Sequence, residues 1–258
     1  MIKIFDGVKL GLHLPLHQKK VLQGGGQVTE DQVLEMARRS YGFGSWDAPY
    51  WFIGPEQGQG KEENHELSRR AKAWLQLDVD GLCDCRKFHD LIEITEWHRD
   101  NPALQPTWRP LMLLLMTFLQ QSTDKESLRV YQRDKWGILN GQTCVIELSG
   151  LPANNFKIQR QRELFRQERM DTIRQRMRAH KPALVFMFGK GQRKQWEQIA
   201  GDSFSDDEID GYTAGIQKCG SSLIAFAPHP HYGPGNAYWI KFGEKLSKLS
   251  LDQLPPLN

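Results

Sequence analysis

Four stretches of the chain are nearly unbroken runs of apolar, strand-forming residues: Tyr50 to Ile53 (YWFI), Thr143 to Leu148 (TCVIEL), Ala183 to Phe188 (ALVFMF) and Ser222 to Ala227 (SLIAFA). Continuous rather than alternating apolar runs predict strands buried on both faces. Each run ends in a turn rich in Gly or Pro: Gly54-Pro55-Glu56-Gln57-Gly58, Ser149-Gly150-Leu151-Pro152, Gly189-Lys190-Gly191, and Pro228-His229-Pro230-His231-Tyr232-Gly233. Between the runs, apolar spacing predicts helices near 62–75, 109–121, 158–180, 191–200 and 236–248. An earlier helix is expected over 29–40, where Thr29, Glu30 and Asp31 resemble a capping box ahead of Val33, Leu34, Met36 and Ala37. This alternation predicts an α/β fold, a three-layer α/β/α sandwich around a central, mostly parallel four-stranded sheet. One domain over 1–258 is expected, with 1–27 an irregular arm ending in Gly24-Gly25-Gly26, 41–50 a loop, and 123–142 an excursion from the sheet.

Composition narrows the class without naming a function. The 258 residues are 39% hydrophobic and 25% charged, which suits a globular chain and excludes disordered or fibrous ones. The longest apolar run, Leu111 to Leu119, falls far short of the roughly 20 residues that span a bilayer. The first twenty residues mix charges and His into their apolar stretch and carry no Ala-x-Ala site, so a signal peptide is not expected. Four cysteines do not make a disulfide framework, which points to the cytoplasm. The net charge of +3 is too small to announce a partner, yet it is unevenly placed. Residues 157–181 hold nine Lys and Arg against three acids, a local +6, leaving −3 for the remainder. Ile158, Leu164, Phe165, Ile173 and Met177 would bury one stripe of that helix. Its charges are expected on a solvated face rather than on phosphate.

Ligands in open α/β sheets bind beyond the carboxyl ends of the strands. Those ends carry Glu56, Gln57, Glu147, Ser149, Lys190, His229 and His231. Carboxylates, an imidazole and freed backbone amides suit acid–base or electrostatic catalysis on a polar substrate. Two other chemistries fail on spacing. A phosphate loop needs Gly at 55 and Ser or Thr at 62, where Pro55 and Glu62 stand. A nucleophile elbow around Ser149 needs Gly where Glu147 stands. Metal ligation by His229, His231 and Glu56, or by Cys83, Cys85 and His89, matches no complete pattern, so no metal is expected and the two cysteines read as half-buried thiols.

The segments Ile53-Gly54-Pro55-Glu56-Gln57-Gly58 and Ala227-Pro228-His229-Pro230-His231 resemble the two motifs of the uracil-DNA glycosylase superfamily. Between them, Thr143 to Pro152 resembles the strand that carries the base-reading residue, and Ala183 to Lys190 with Trp196 the following strand, Gly and helix. The likeness spans roughly 45–245. It implies hydrolytic removal of uracil or another deaminated base from DNA by a monomer without cofactor. Glu56 would orient water or favour the sugar cation, and His229 would favour negative charge on the departing base. Gly54, Gln57, Gly58, Glu147 and Ser149 would surround the base, while Lys190, Pro230, His231, Tyr232 and Gly233 would contact DNA. The chain departs from the pattern at Gln57, where the family has Pro, and at His231, where it has Ser. Glu147 stands near the place of a base-reading Asn, and as a carboxylate would prefer an amino-bearing edge. No cysteine pattern suits an iron–sulfur cluster. A non-catalytic nucleic-acid or nucleotide-binding module on the same fold is the main alternative, followed by a metal-dependent hydrolase built on His229, His231 and Glu56.

Overall fold

The structure, a computed structural model, describes residues 28–58, 63–77, 80–152, 163 and 165–251. In chain order its elements are α1 (Glu30–Arg39), β1 (Gly42–Phe43), β2 (Tyr50–Gly54), α2 (Glu63–Leu77), β3 (Leu82–Cys83), α3 (Cys85–Leu91), α4 (Trp108–Phe118), α5 (Lys125–Asp134) and β4 (Thr143–Glu147). They continue with α6 (Arg166–His180), β5 (Leu184–Phe188), α7 (Arg193–Ala200), β6 (Ser205–Ile209), β7 (Tyr212–Cys219), β8 (Ser222–Ala227) and α8 (Asn236–Leu251). The capping box of α1 pairs Thr29 with Gln32: the Gln32 N–H donates to Thr29 Oγ1, and the Thr29 N–H donates to Gln32 Oε1. The expected arm 1–27 lies outside the described residues.

The sheet is mixed and has eight strands in the order β3-β1-β4-β2-β5-β8-β7-β6. The four apolar runs form its centre, β4-β2-β5-β8, and pair in parallel throughout. The expected four-stranded sheet is therefore only the middle of a larger one. Two additions, β1 and β3, are two-residue strands, too short for any periodicity, and β1 lies inside the expected 41–50 loop. The other two form an antiparallel hairpin on β8. Three acids in Ser205-Asp206-Asp207-Glu208-Ile209 disguise β6 as a loop, because Asp is poor in strands. At this sheet edge the acids face cations. Arg193 meets Asp206 at 2.6 Å, Lys245 pairs with Asp207, and Lys241 pairs with Asp210. Asp210 and Gly211 both have positive φ, the requirement of a tight hairpin turn.

Side chains alternate across the central strands and divide the core in two. Phe52, Val145, Phe186 and Ala225 face α1 to α5 and α8. Trp51, Ile146, Val185 and Ile224 face α6 and α7. The 123–142 segment, expected to leave the sheet, contains α5 and sends Leu128, Tyr131 and Trp136 into the first of these cores.

Helix α6 overturns one charge assignment. Arg169, counted on a solvated face, is fully buried. Its Nε donates to Leu148 O at 3.0 Å and its Nη2 to Glu147 O at 2.7 Å. Nη1 donates to Ala37 O and Arg38 O, both at 3.2 Å, and the guanidinium lies 4.3 Å from the Tyr41 ring centre. One rigid fork thus ties the C-terminus of α1 to the end of β4. Lysine cannot present donors in that geometry and would leave buried carbonyls unmatched. Arg169→Lys is expected to lower stability by about 2–4 kcal/mol in urea titration.

Candidate functional site

The sheet order places the site. From β2 the chain goes by way of the edge strand β3 to β4 on one side, then crosses to β5 on the other. The crevice beyond β2 is thus the switch point where such sheets bind ligands. Register aligns what stands there. Gly54 is level with Glu147, and Phe188 with Ala227. Glu56 and His229 each follow two residues beyond the last residue of their strands. With two strand spacings between β2 and β8, they start about 10 Å apart, enough to admit a nucleoside between them.

Glu147 ends β4 with 9% of its surface exposed. Its Oε2 has no hydrogen-bond partner among the described residues. Burial, reinforced by the Glu56 charge, pushes its carboxyl up to about 8, against the pull of Arg169 and Arg70. At neutral pH this group therefore carries its proton. Gly54 makes room for it: a Cβ there would stand 3.0 Å from Glu147 Oε2 and 2.4 Å from Phe188 Cζ. Glu147 lines a small pocket together with Tyr41, Gln57, Arg70, Ser149 and Leu151. Buried Arg70 reaches from α2 into the first strand-end loop. Its Nη1 donates to Gln57 Oε1 at 2.5 Å and its Nη2 to Gly58 O at 3.1 Å.

His229 lies at the other end of the crevice, half-buried, its ring 5.5 Å from that of Phe188 in an edge-to-face contact. Its Nδ1 accepts the His231 backbone N–H at 3.2 Å. Desolvation first, and the neighbouring His231 second, hold its pKa below the ordinary value. A neutral ring whose Nδ1 accepts must carry its proton on Nε2. His229 is therefore a neutral hydrogen-bond donor. Tyr232 beside it is 85% exposed, its ring 5.4 Å from His229 and 4.5 Å from His231.

The other expected residues divide. Gln57 and Ser149 line the pocket, but the Ser149 hydroxyl is engaged within its own turn, donating to Leu151 O and accepting the Leu151 N–H. Gly58 is exposed and offers its carbonyl to Arg70. Lys190, His231 and Gly233 are exposed at the rim, and Pro230 is buried beneath them. Among the described residues, Glu56, His229 and His231 do not gather as metal ligands. Arg70, Arg169 and Phe188 were not singled out in the sequence, where nothing separates them from ordinary surface cations and core aromatics. Comparison with protein-family models and with curated proteins gives no match.

Because its folded pKa lies above the unfolded one, Glu147 favours the native state fully only at low pH, and its contribution falls as pH rises from about 4.5 to 8. Glu147→Gln removes that loss. Its melting temperature is expected to match the parent near pH 4.5 and exceed it by a growing margin toward pH 8, corresponding to about 1–3 kcal/mol.

Proposed function

We propose that the chain is a DNA glycosylase of the uracil-DNA glycosylase type, hydrolysing the N-glycosidic bond of a flipped-out deaminated base. The observation that carries this reading is the neutral His229 with its donor Nε2, across the crevice from two carboxyl groups. N-glycosidic cleavage develops positive charge on the sugar and negative charge on the base. A neutral imidazole N–H can stabilise the anion without first being deprotonated. Glu56 favours the oxocarbenium-like sugar and orients the attacking water.

The protonated Glu147 revises the expected base preference. A carboxylic acid presents an O–H donor beside a C=O acceptor, the pairing an amide would offer. Such a pair complements adjacent C=O and N–H groups, the edge that deamination creates in uracil, hypoxanthine and xanthine. A carboxylate would instead have favoured an amino edge. Exposed Tyr232 and Lys190 at the rim suit stacking and phosphate contact during base extrusion.

Duplexes carrying uracil, hypoxanthine or xanthine should acquire alkali-labile sites when incubated with the protein. His229→Ala should slow the reaction about 10²–10³-fold and Glu56→Gln about 10²–10⁴-fold. Activity should fall above about pH 8 as Glu147 ionises, and Glu147→Gln should retain cleavage while losing that alkaline limb. A folded protein that cleaves none of these duplexes contradicts the proposal. Tight binding without cleavage would favour the non-catalytic module instead.

A further inference from the structure

A second group of reactive side chains lies in the core beneath α3, behind Phe43 and Phe88, which line the Glu147 pocket. Cys85 opens that helix and His89 follows one turn later on the same face. His98 follows the short 3-10 turn Thr95–Trp97. Cys85 Sγ is 3.5 Å from His89 Nδ1 and 3.8 Å from His98 Nε2, and the two nitrogens are 2.9 Å apart. All three residues are buried. The sequence predicts half-buried thiols at Cys83 and Cys85. Both are about 1% exposed or less.

We propose that Cys85, His89 and His98 hold one thiophilic d10 cation, Zn2+ or Cu+, at a structural site. A point equidistant from the three ligand atoms lies about 2 Å from each, close to Zn–N bond lengths of 2.0–2.1 Å and slightly short of a Zn–S bond. One thiolate and two neutral imidazoles suit both ions, three-coordinate for Cu+ and with a fourth position open for Zn2+. The surroundings are aromatic: the His89 ring centre lies 5.6 Å from those of Phe43 and Trp108, and the His98 ring 6.0 Å from Trp108. Among the described residues His98 Nδ1 has no partner, so the ring meets other polar groups only through Nε2, the atom that faces Cys85 Sγ and His89 Nδ1. Coordination at Nε2 would fix that ring.

Binding balances with release of one proton. The Cys85 S–H proton leaves to solvent, and each imidazole remains neutral. Its proton sits on the nitrogen remote from the cation, Nε2 of His89 and Nδ1 of His98. The site would cross-link α3 to the 92–107 segment, which has little regular structure of its own. A second clasp there is Gln132, whose Nε2 donates to Trp97 O and Ala103 O while its Oε1 accepts the Gln105 N–H. None of its three ligands lines the Glu147 pocket, so its loss should act first on stability.

The test is elemental analysis and X-ray absorption of full-length protein expressed with zinc and copper supplied. About one metal per chain is expected, with one sulfur near 2.3 Å and two imidazole nitrogens near 2.0 Å. The element found distinguishes zinc from copper. Cobalt reconstitution should give a thiolate charge-transfer band that Cys83→Ser keeps and Cys85→Ser loses. Folded wild-type protein that carries no stoichiometric metal and takes up no cobalt overturns the proposal, as does a bound metal with no sulfur neighbour. These readouts use the unmutated chain, so a failure of Cys85→Ser to fold does not blunt them.

Discussion

A fully buried guanidinium holds the site side of this molecule together. Arg169 spends its donors on four backbone carbonyls, from Ala37, Arg38, Glu147 and Leu148. Those carbonyls belong to two segments whose hydrogen bonding would otherwise stop, the C-terminus of α1 and the last residues of β4. The neighbouring Glu147 N–H donates to Tyr41 O, and the Tyr41 ring covers the guanidinium. The backbone of Glu147 is thus fixed on both sides. Burial even lowers the Arg169 pKa to about 10, which measures how far this charge stands from solvent.

From that constraint follows the electrostatics of the crevice. A carboxyl held in the interior beside another carboxyl keeps its proton, despite two arginines that pull the other way. Three strands away an imidazole, locked by a backbone N–H, stays neutral with its donor on Nε2. Two acid–base groups of opposite kind thus meet neutral pH uncharged. This suits the proposed reading of a neutral base edge, with charge stabilised only as it develops. In that proposal Glu56 answers the positive sugar. The connection is physical: Gly54 lies against both Glu147 and Phe188, and Phe188 lies against His229.

The strand ends were legible from sequence because the four runs are nearly all apolar and give way abruptly to turns rich in Gly or Pro. That rule alone located Glu56, Glu147, Lys190 and His229. It did not reveal β6, whose acids face cations across the sheet edge, although Asp210-Gly211 between Ile209 and Tyr212 was a readable hairpin signal. The burial of Arg169 left no trace either. One buried guanidinium among nine basic residues does not alter helical periodicity, and its partners are carbonyls of other segments. The protonation of Glu147 was illegible for a related reason, since it depends on what packs over the end of β4. His98 escaped notice because its neighbours in space are reached through a turn rather than through a fixed ligand spacing.

The protonated Glu147 is the claim on which the base preference and the pH behaviour both stand. Infrared difference spectroscopy of the protein labelled with ¹³C at glutamate carboxyl groups, with Glu147→Gln as the reference, isolates this one group. A C=O stretch of a protonated acid that persists at neutral pH and disappears with a midpoint near 8 is the expected result. A midpoint in the ordinary carboxylate range, near 4–5, would contradict the account.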